Sequence, residues 1–336
     1  MVAETDPRPV EWSSRTEEAA WISARLAPFG TRSAASVIPK GFDGYVRLLH
    51  PARRGDPGER SIVRWREIAA WSGAAIHRGV QFQQIAIPLE AVPEPPPWSS
   101  APTRGTLEGE DCIALIEILT AHTSSSDLCW FCLWDGYGWQ GRGALKVSSE
   151  AATTVLPDPV PPEVRSGGRV ELPNRSYLLY TGPSAQALAF LGSQDQTPNL
   201  WWPADRNWCV ATELDLDWTY VGGSDELVSR LLSDRRLETL PVELDDSCQF
   251  ELSPTQQALV AGASRTLLVE GRVTIPTPLG LIEAILTGRG PKSTVRISWG
   301  RMPGHWSGAS TSRVDGSSLE QLERELAISL DALARG

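Results

Sequence analysis

No stretch of this chain is apolar for long enough to cross a bilayer. The longest runs, such as IALIEIL at 113–119, are broken by charge and fall well short of the roughly 20 residues a spanning helix needs. No membrane partner is expected. The first residues, MVAETDPRPVEW, carry Glu4 and Asp6 where a secretory signal would place basic residues and an apolar core, so export is not expected either. Cysteine is scarce: five residues, an odd number without regular spacing, do not make a disulfide framework. A reducing compartment, the cytoplasm, fits that usage best. Excess positive charge is missing as well. The 31 Lys and Arg against 41 Asp and Glu leave a formal charge of −10, which argues against attraction to nucleic acid or anionic lipid.

The motifs of familiar chemistry are missing too. Neither H-E-x-x-H nor G-x-S-x-G occurs, and His50, His77, His122 and His305 are scattered. GYGWQG supplies Gly136, Gly138 and Gly141 at G-x-G-x-x-G spacing after a strand-like run. The next residues, RGALKVSS, do not open the helix whose amides would hold a pyrophosphate. GRGPKS at 288–293 has Pro291 where a phosphate loop needs glycine. Cys129 and Cys132 in CWFC are three apart on a strand and face opposite ways, so they read as core thiols rather than a redox or zinc pair. The sequence assigns no cofactor and no reaction.

What is present is a 336-residue chain, 41% hydrophobic, with fourteen tryptophans, enough for one or two substantial cores. Ser14 to Leu26 reads as a helix opened by a Ser14/Glu17 capping box. Further helices are expected over Ser61–Trp71, Asp111–His122, Ser184–Gly192 and Ser224–Leu232. Others are expected in LGLIEAILTG and in Ser318–Ala334, whose leucines share one face. GYVRLLH, LCWFCLW, SYLLYTG, RTLLVEGRVTI and STVRISWG read as strands, and 200–221 reads as a hairpin with a long second strand from Asn207 to Val221. The runs 51–60 and 90–105 are rich in proline and charge and read as exposed connections. The run VLPDPVPPEVRSGG at 155–168 reads as a linker. The fold expected is α+β in two lobes, 1–156 and 157–336, each a mainly antiparallel sheet with helices on one side.

Two constellations stand out. On a strand running through NWCVATELDLDWTY, Glu213, Asp215 and Asp217 would share one face, about 7 Å apart, and could hold a hard divalent cation or meet arginines of a partner. Trp201 and Trp202, beside Asp205 and Arg206 at the turn, could line a binding cleft. Charge is also segregated. From Lys40 to Arg78 there are eight Lys and Arg against four acids, and from 200 to 250 four against eleven.

FDGYVRLLHPA, CWFCLWDGYG and NLWWPADRNWCVATELDLDWTYVGGS resemble segments of an actinobacterial family of hypothetical proteins without assigned function. The resemblance implies that both halves belong to one architectural unit, and it implies no active site, cofactor or substrate. The function expected is a noncatalytic intracellular protein that binds a protein partner, immunity-like or regulatory. A metal-assisted hydrolase with a noncontiguous site is the alternative.

Overall fold

The computed structural model describes residues 10–55, 61–88, 92, 94–107, 109–137, 161–194, 196–288, 290–300 and 306–335. The GYGWQG run beyond Tyr137, Arg289 of the GRGPKS run and His305 lie outside the described residues. The chain divides into two compact units, both discontinuous: Met1–His50 with Arg104–Gln249, and Pro51–Thr103 with Phe250–Gly336.

In chain order the first unit contributes β1 (Glu11–Trp12), α1 (Ala20–Ser23) and β2 (Gly44–Leu49). The second unit continues with β3 (Ala52–Arg54), β4 (Ser61–Val63), α2 (Trp65–Ser72) and α3 (Phe82–Ala86). The chain then resumes the first unit with α4 (Gly109–Thr120), β5 (Cys129–Trp134), α5 (Pro162–Ser166), β6 (Val170–Leu172), β7 (Arg175–Gly182) and α6 (Ala189–Gln194). Next come β8 (Leu200–Pro203), β9 (Cys209–Ala211), β10 (Trp218–Gly223), α7 (Asp225–Ser233) and β11 (Thr239–Pro241). The second unit closes with α8 (Pro254–Glu270), β12 (Arg272–Thr277), β13 (Gly280–Thr287), β14 (Ser293–Gly300), β15 (Gly308–Val314) and α9 (Leu319–Arg335).

The first unit is built on one nine-stranded sheet in the order β1-β7-β5-β8-β9-β10-β2-β11, with β6 on β7. Each described strand pair is antiparallel, in keeping with an α+β fold. β5 is interior and buried on both faces because CWFCLW is apolar at every position. One face, with Phe131, Leu133, Leu178, Trp201 and Val210, packs on α4 residues Leu115 and Leu119 and on Leu227 and Leu231 of α7. The opposite face is covered by the chain entering the sheet, where Trp21 meets Trp202 edge-on at 6.0 Å and Phe42 at 6.3 Å. α1 therefore lies across the sheet from the longer helices.

The boundary expected at 155–168 is not where the units divide. β5 before that segment and β6 and β7 after it belong to one sheet, with β7 hydrogen-bonded to both of the others, so the segment connects strands within one unit. The helix expected from Ser14 is also shorter, a 3₁₀ turn at Thr16–Ala19 leading into α1. Ser13 donates its amide to the Leu179 carbonyl and Trp12 pairs with Tyr180, so the chain is still extended where the capping box would form.

The second unit carries a four-stranded antiparallel sheet in the order β12-β13-β14-β15, and the hairpin of β3 with β4. Ile275, Ile282, Ala284, Val295 and Ile297 bury one face of that sheet, where α8 and α9 pack through Val260, Leu267, Leu322, Leu326 and Leu330. Trp65, Phe82, Trp71 and Trp98 form a chain of edge-on aromatic contacts, tied to α9 by the Trp98 indole N–H donating to the Ala334 carbonyl at 3.3 Å. Two expectations fail here. LGLIEAILTG is β13, hydrogen-bonded on both sides by β12 and β14, and not a helix. RTLLVE in turn is the last part of α8, with only the residues after Gly271 becoming a strand.

Candidate functional site

The first unit encloses its candidate residues. Trp201 and Trp202 are 2% and 1% exposed. As neighbours on β8 they point to opposite faces, and both faces are covered. Trp201 stacks on Phe131 and meets Trp208 edge-on at 5.1 Å, while Trp202 packs on Trp21, so neither lines a cleft. Asp205 holds a loop together. Its carboxylate accepts from the Thr123 hydroxyl at 2.7 Å, the Ser124 amide and hydroxyl at 2.8 and 2.9 Å, and the Asn207 amide and side chain. Burial raises its pKa, but these donors outweigh burial and hold the carboxyl below the usual range. Arg206 takes the left-handed conformation, φ 57°, and lays its guanidinium over Trp21.

The carboxylate stripe is likewise absent, because the long strand from Asn207 is three separate pieces. β9 ends at Ala211, residues 213–217 turn with the Leu216 amide donating to the Glu213 carbonyl at 3.1 Å, and β10 starts at Trp218 and pairs back on β9. The turn sends the three acids apart. Glu213 accepts from Arg175 at 2.7 Å, Asp215 is exposed, and Asp217 is buried with Arg104 at 3.7 Å. Among the described residues no three His, Cys, Asp or Glu side chains are grouped to hold a metal ion.

A buried polar chain of this unit joins three of its strands. His50 Nε2 lies 2.9 Å from the Thr219 hydroxyl, which lies 2.8 Å from that of Thr212, joining β2, β10 and the end of β9. Cys129 and Cys132 are buried free thiols whose pKa values burial pushes up, the wrong direction for a nucleophile. His122 donates from Nδ1 to the Ile118 carbonyl at the end of α4.

The open surface is in the second unit, between α8 and α9. α8 begins at a capping box: the Ser253 hydroxyl accepts from the Gln256 amide, the Gln256 side chain accepts from the Ser253 amide, and Pro254 occupies the first helical position. It ends at Gly271, whose φ of 72° a side chain would oppose. Gln256 does a second job. Its amide nitrogen donates to the carbonyls of Gln83 and Ile87, and Gln83 donates to the Glu251 carbonyl, so the start of α8 and the segment before it are held by buried glutamines.

α8 carries only two charged residues, Arg265 and Glu270, both in its second half. Val260, Ala263 and Leu267 face the sheet, yet Ala258 and Val269 are exposed, Val269 at 84%. A helix with one buried face normally shows charge on the other, as α9 does. The first half of α8, through Gln257, Ala258 and Ala261, lines an open groove of about 640 Å³ together with Leu252 and with Ala327 of α9. Phe250, 42% exposed, stands at one end. Glu251, Glu320 and Glu323 rim it against a single cation, Arg324, so the rim is net acidic.

A second cleft in this unit, about 500 Å³, is walled by Trp98, Trp299 and prolines 95, 96 and 278. Its cation, Arg335, is committed to Asp331 at 3.0 Å and to the Pro102 carbonyl. Sequence patterns alone missed α8 and hence its groove, although Ser253, Pro254, Gln256 and Gly271 spell its two ends. Compared with protein-family models, curated proteins and solved structures, the chain matches none.

Proposed function

We propose that this is a noncatalytic protein-binding protein of the immunity-like or regulatory kind, acting in the cytoplasm, and that its partner docks in the groove between α8 and α9. The observation that carries this reading is the wall that α8 gives the groove, Pro254, Gln257, Ala258, Val260 and Ala261, which holds no charged residue. The groove suits an amphipathic helix laid with its apolar side on Ala258, Ala261 and Ala327. The acidic rim selects one flanked by lysine or arginine. The hydrolase alternative has, among the described residues, no group of three His, Cys, Asp or Glu side chains placed to hold its metal.

The test uses the full chain and a helical peptide with a leucine face and lysine flanks, beside a native-lysate capture. Ala258→Arg with Ala327→Arg fills the groove and cancels the net negative charge of its rim. The double variant is expected to weaken peptide binding by about tenfold or more and to release any captured partner, while changing stability by no more than about 0.5 kcal/mol per site. Binding that is equal in the double variant, or that prefers glutamate flanks, sinks the reading.

A further inference from the structure

The face of the four-stranded sheet opposite Ile275, Ile282, Val295 and Ile297 is buried at Ser298 and Gly300 and exposed toward the other end of the strands. Register places Arg272, Ile285, Arg296 and Thr311 in one row across that face, and Thr287, Thr294 and Arg313 in the next. Arg272, Arg296 and Arg313 are all exposed, with Glu283 the one acidic residue on these strands of the face. An acidic protein thus carries a local cationic surface. Among the described residues of these strands the face holds no aromatic side chain: its other positions include Thr274, Leu281, Ser298 and Ala309. Stacking of nucleobases, the usual companion of phosphate binding to single strands, has no platform there.

The edge beside this face is β15. Among the described residues it pairs with β14 alone, so its other side presents unpaired backbone donors and acceptors. The helix side of the same edge supplies an apolar residue. On α9, Gln321 accepts from the Asp315 amide and Glu325 accepts from the Ser312 hydroxyl at 2.6 Å, which fixes the side of the helix that lies along β15. Ile328 comes next at helical spacing on that side and is 51% exposed.

We infer that β15 accepts an extended peptide of alternating acidic and apolar residues as a fifth strand. Its acidic side chains meet Arg313 and Arg296 and its apolar ones cover Ile328. An added strand would lie about 4.8 Å from β15, with side chains on each face recurring every 7 Å or so, within reach of an arginine one or two strands away. Backbone pairing supplies affinity, and the two-faced pattern supplies selectivity. This surface is distinct from the α8–α9 groove and can fail without it.

The experiment measures binding of a short peptide of alternating glutamate and valine to the full chain, by calorimetry at low and moderate salt. Saturable, salt-weakened binding is expected. Arg296→Glu with Arg313→Glu should lower affinity about tenfold or more, and Ile328→Ser should weaken it too. Methylating alternate backbone amides of the peptide should abolish binding, whereas Ala258→Arg with Ala327→Arg should leave it unchanged. No saturable binding, indifference to the arginine reversals, or equal binding of the methylated peptide overturns the proposal. So does tighter binding of a single-stranded oligonucleotide through the same arginines, which would assign the face to phosphate.

Discussion

The two sheets of this protein are finished differently. The nine-stranded sheet is covered on both faces, by α4 and α7 on one side and by the segment around Trp21 and Phe42 on the other. The four-stranded sheet has helices on one face, arginines on the other and, among the described residues, an unpaired edge, and the start of one of its two helices lines an open groove without a charged residue. Large side chains and buried polar groups in the first unit serve its own cohesion. Apolar groups left uncovered in the second have no such use. Aromatic density therefore marked core: Trp201 and Trp202, expected to line a cleft, are buried.

The sharpest way to break this contrast is at Trp201. Trp201→Ala removes the ring between Phe131 and Trp208 and is expected to cost about 3–5 kcal/mol in urea unfolding. A cost near zero would mean the first core is not cohesive. A smaller effect is expected at Asp205, where Asp205→Ala loses charge-assisted bonds worth about 1–2 kcal/mol near neutral pH. The folded-state pKa is lowered, so this stabilisation is full above the unfolded value of about 4 and is lost as pH falls through the folded one. The gap between variant and wild type should close on acidification, and a pH-independent gap would remove the carboxylate's charge from the account. Smallest are Val269→Ser on α8 and Asp215→Asn in the β9–β10 turn, each within about 0.5 kcal/mol. Magnesium, manganese or calcium should leave the melting temperature of wild type and Asp215→Asn alike, and a metal-dependent rise lost in Asp215→Asn would restore the carboxylate site.

Much of the fold was legible where one period dominated. β2, β5, β7 and β14, the cap of α7 at Ser224 and the leucine stripe of α9 are dictated directly by the residues. The failures occurred where two periods fit the same residues. LGLIEAILTG is a short apolar run that satisfies a helix and a buried strand equally, and only its pairing with β12 and β14 decides. ATELDLDWTY alternates cleanly, yet the chain turns within it because the Gly105 amide takes the Leu216 carbonyl and the Thr212 amide goes to Asn199. Such partners are distant in sequence, and no local pattern announces them. The surfaces proposed for docking were hidden for a related reason: exposure of an arginine row depends on which face of the sheet the helices take.

The interleaving of the two units also sets an order of events during synthesis. β2 emerges early but its neighbours β10 and β11 begin only at Trp218 and Thr239, so the middle of the large sheet must wait for most of the chain. Such distant pairing is slow to form. Residues 51–103 wait longer still, since Trp98 and Phe82 close on α9 at the far end of the sequence. A nascent chain that has emerged from the ribosome only as far as residue 250 would present a complete large sheet carrying an unfinished aromatic loop, a species suited to capture by a chaperone.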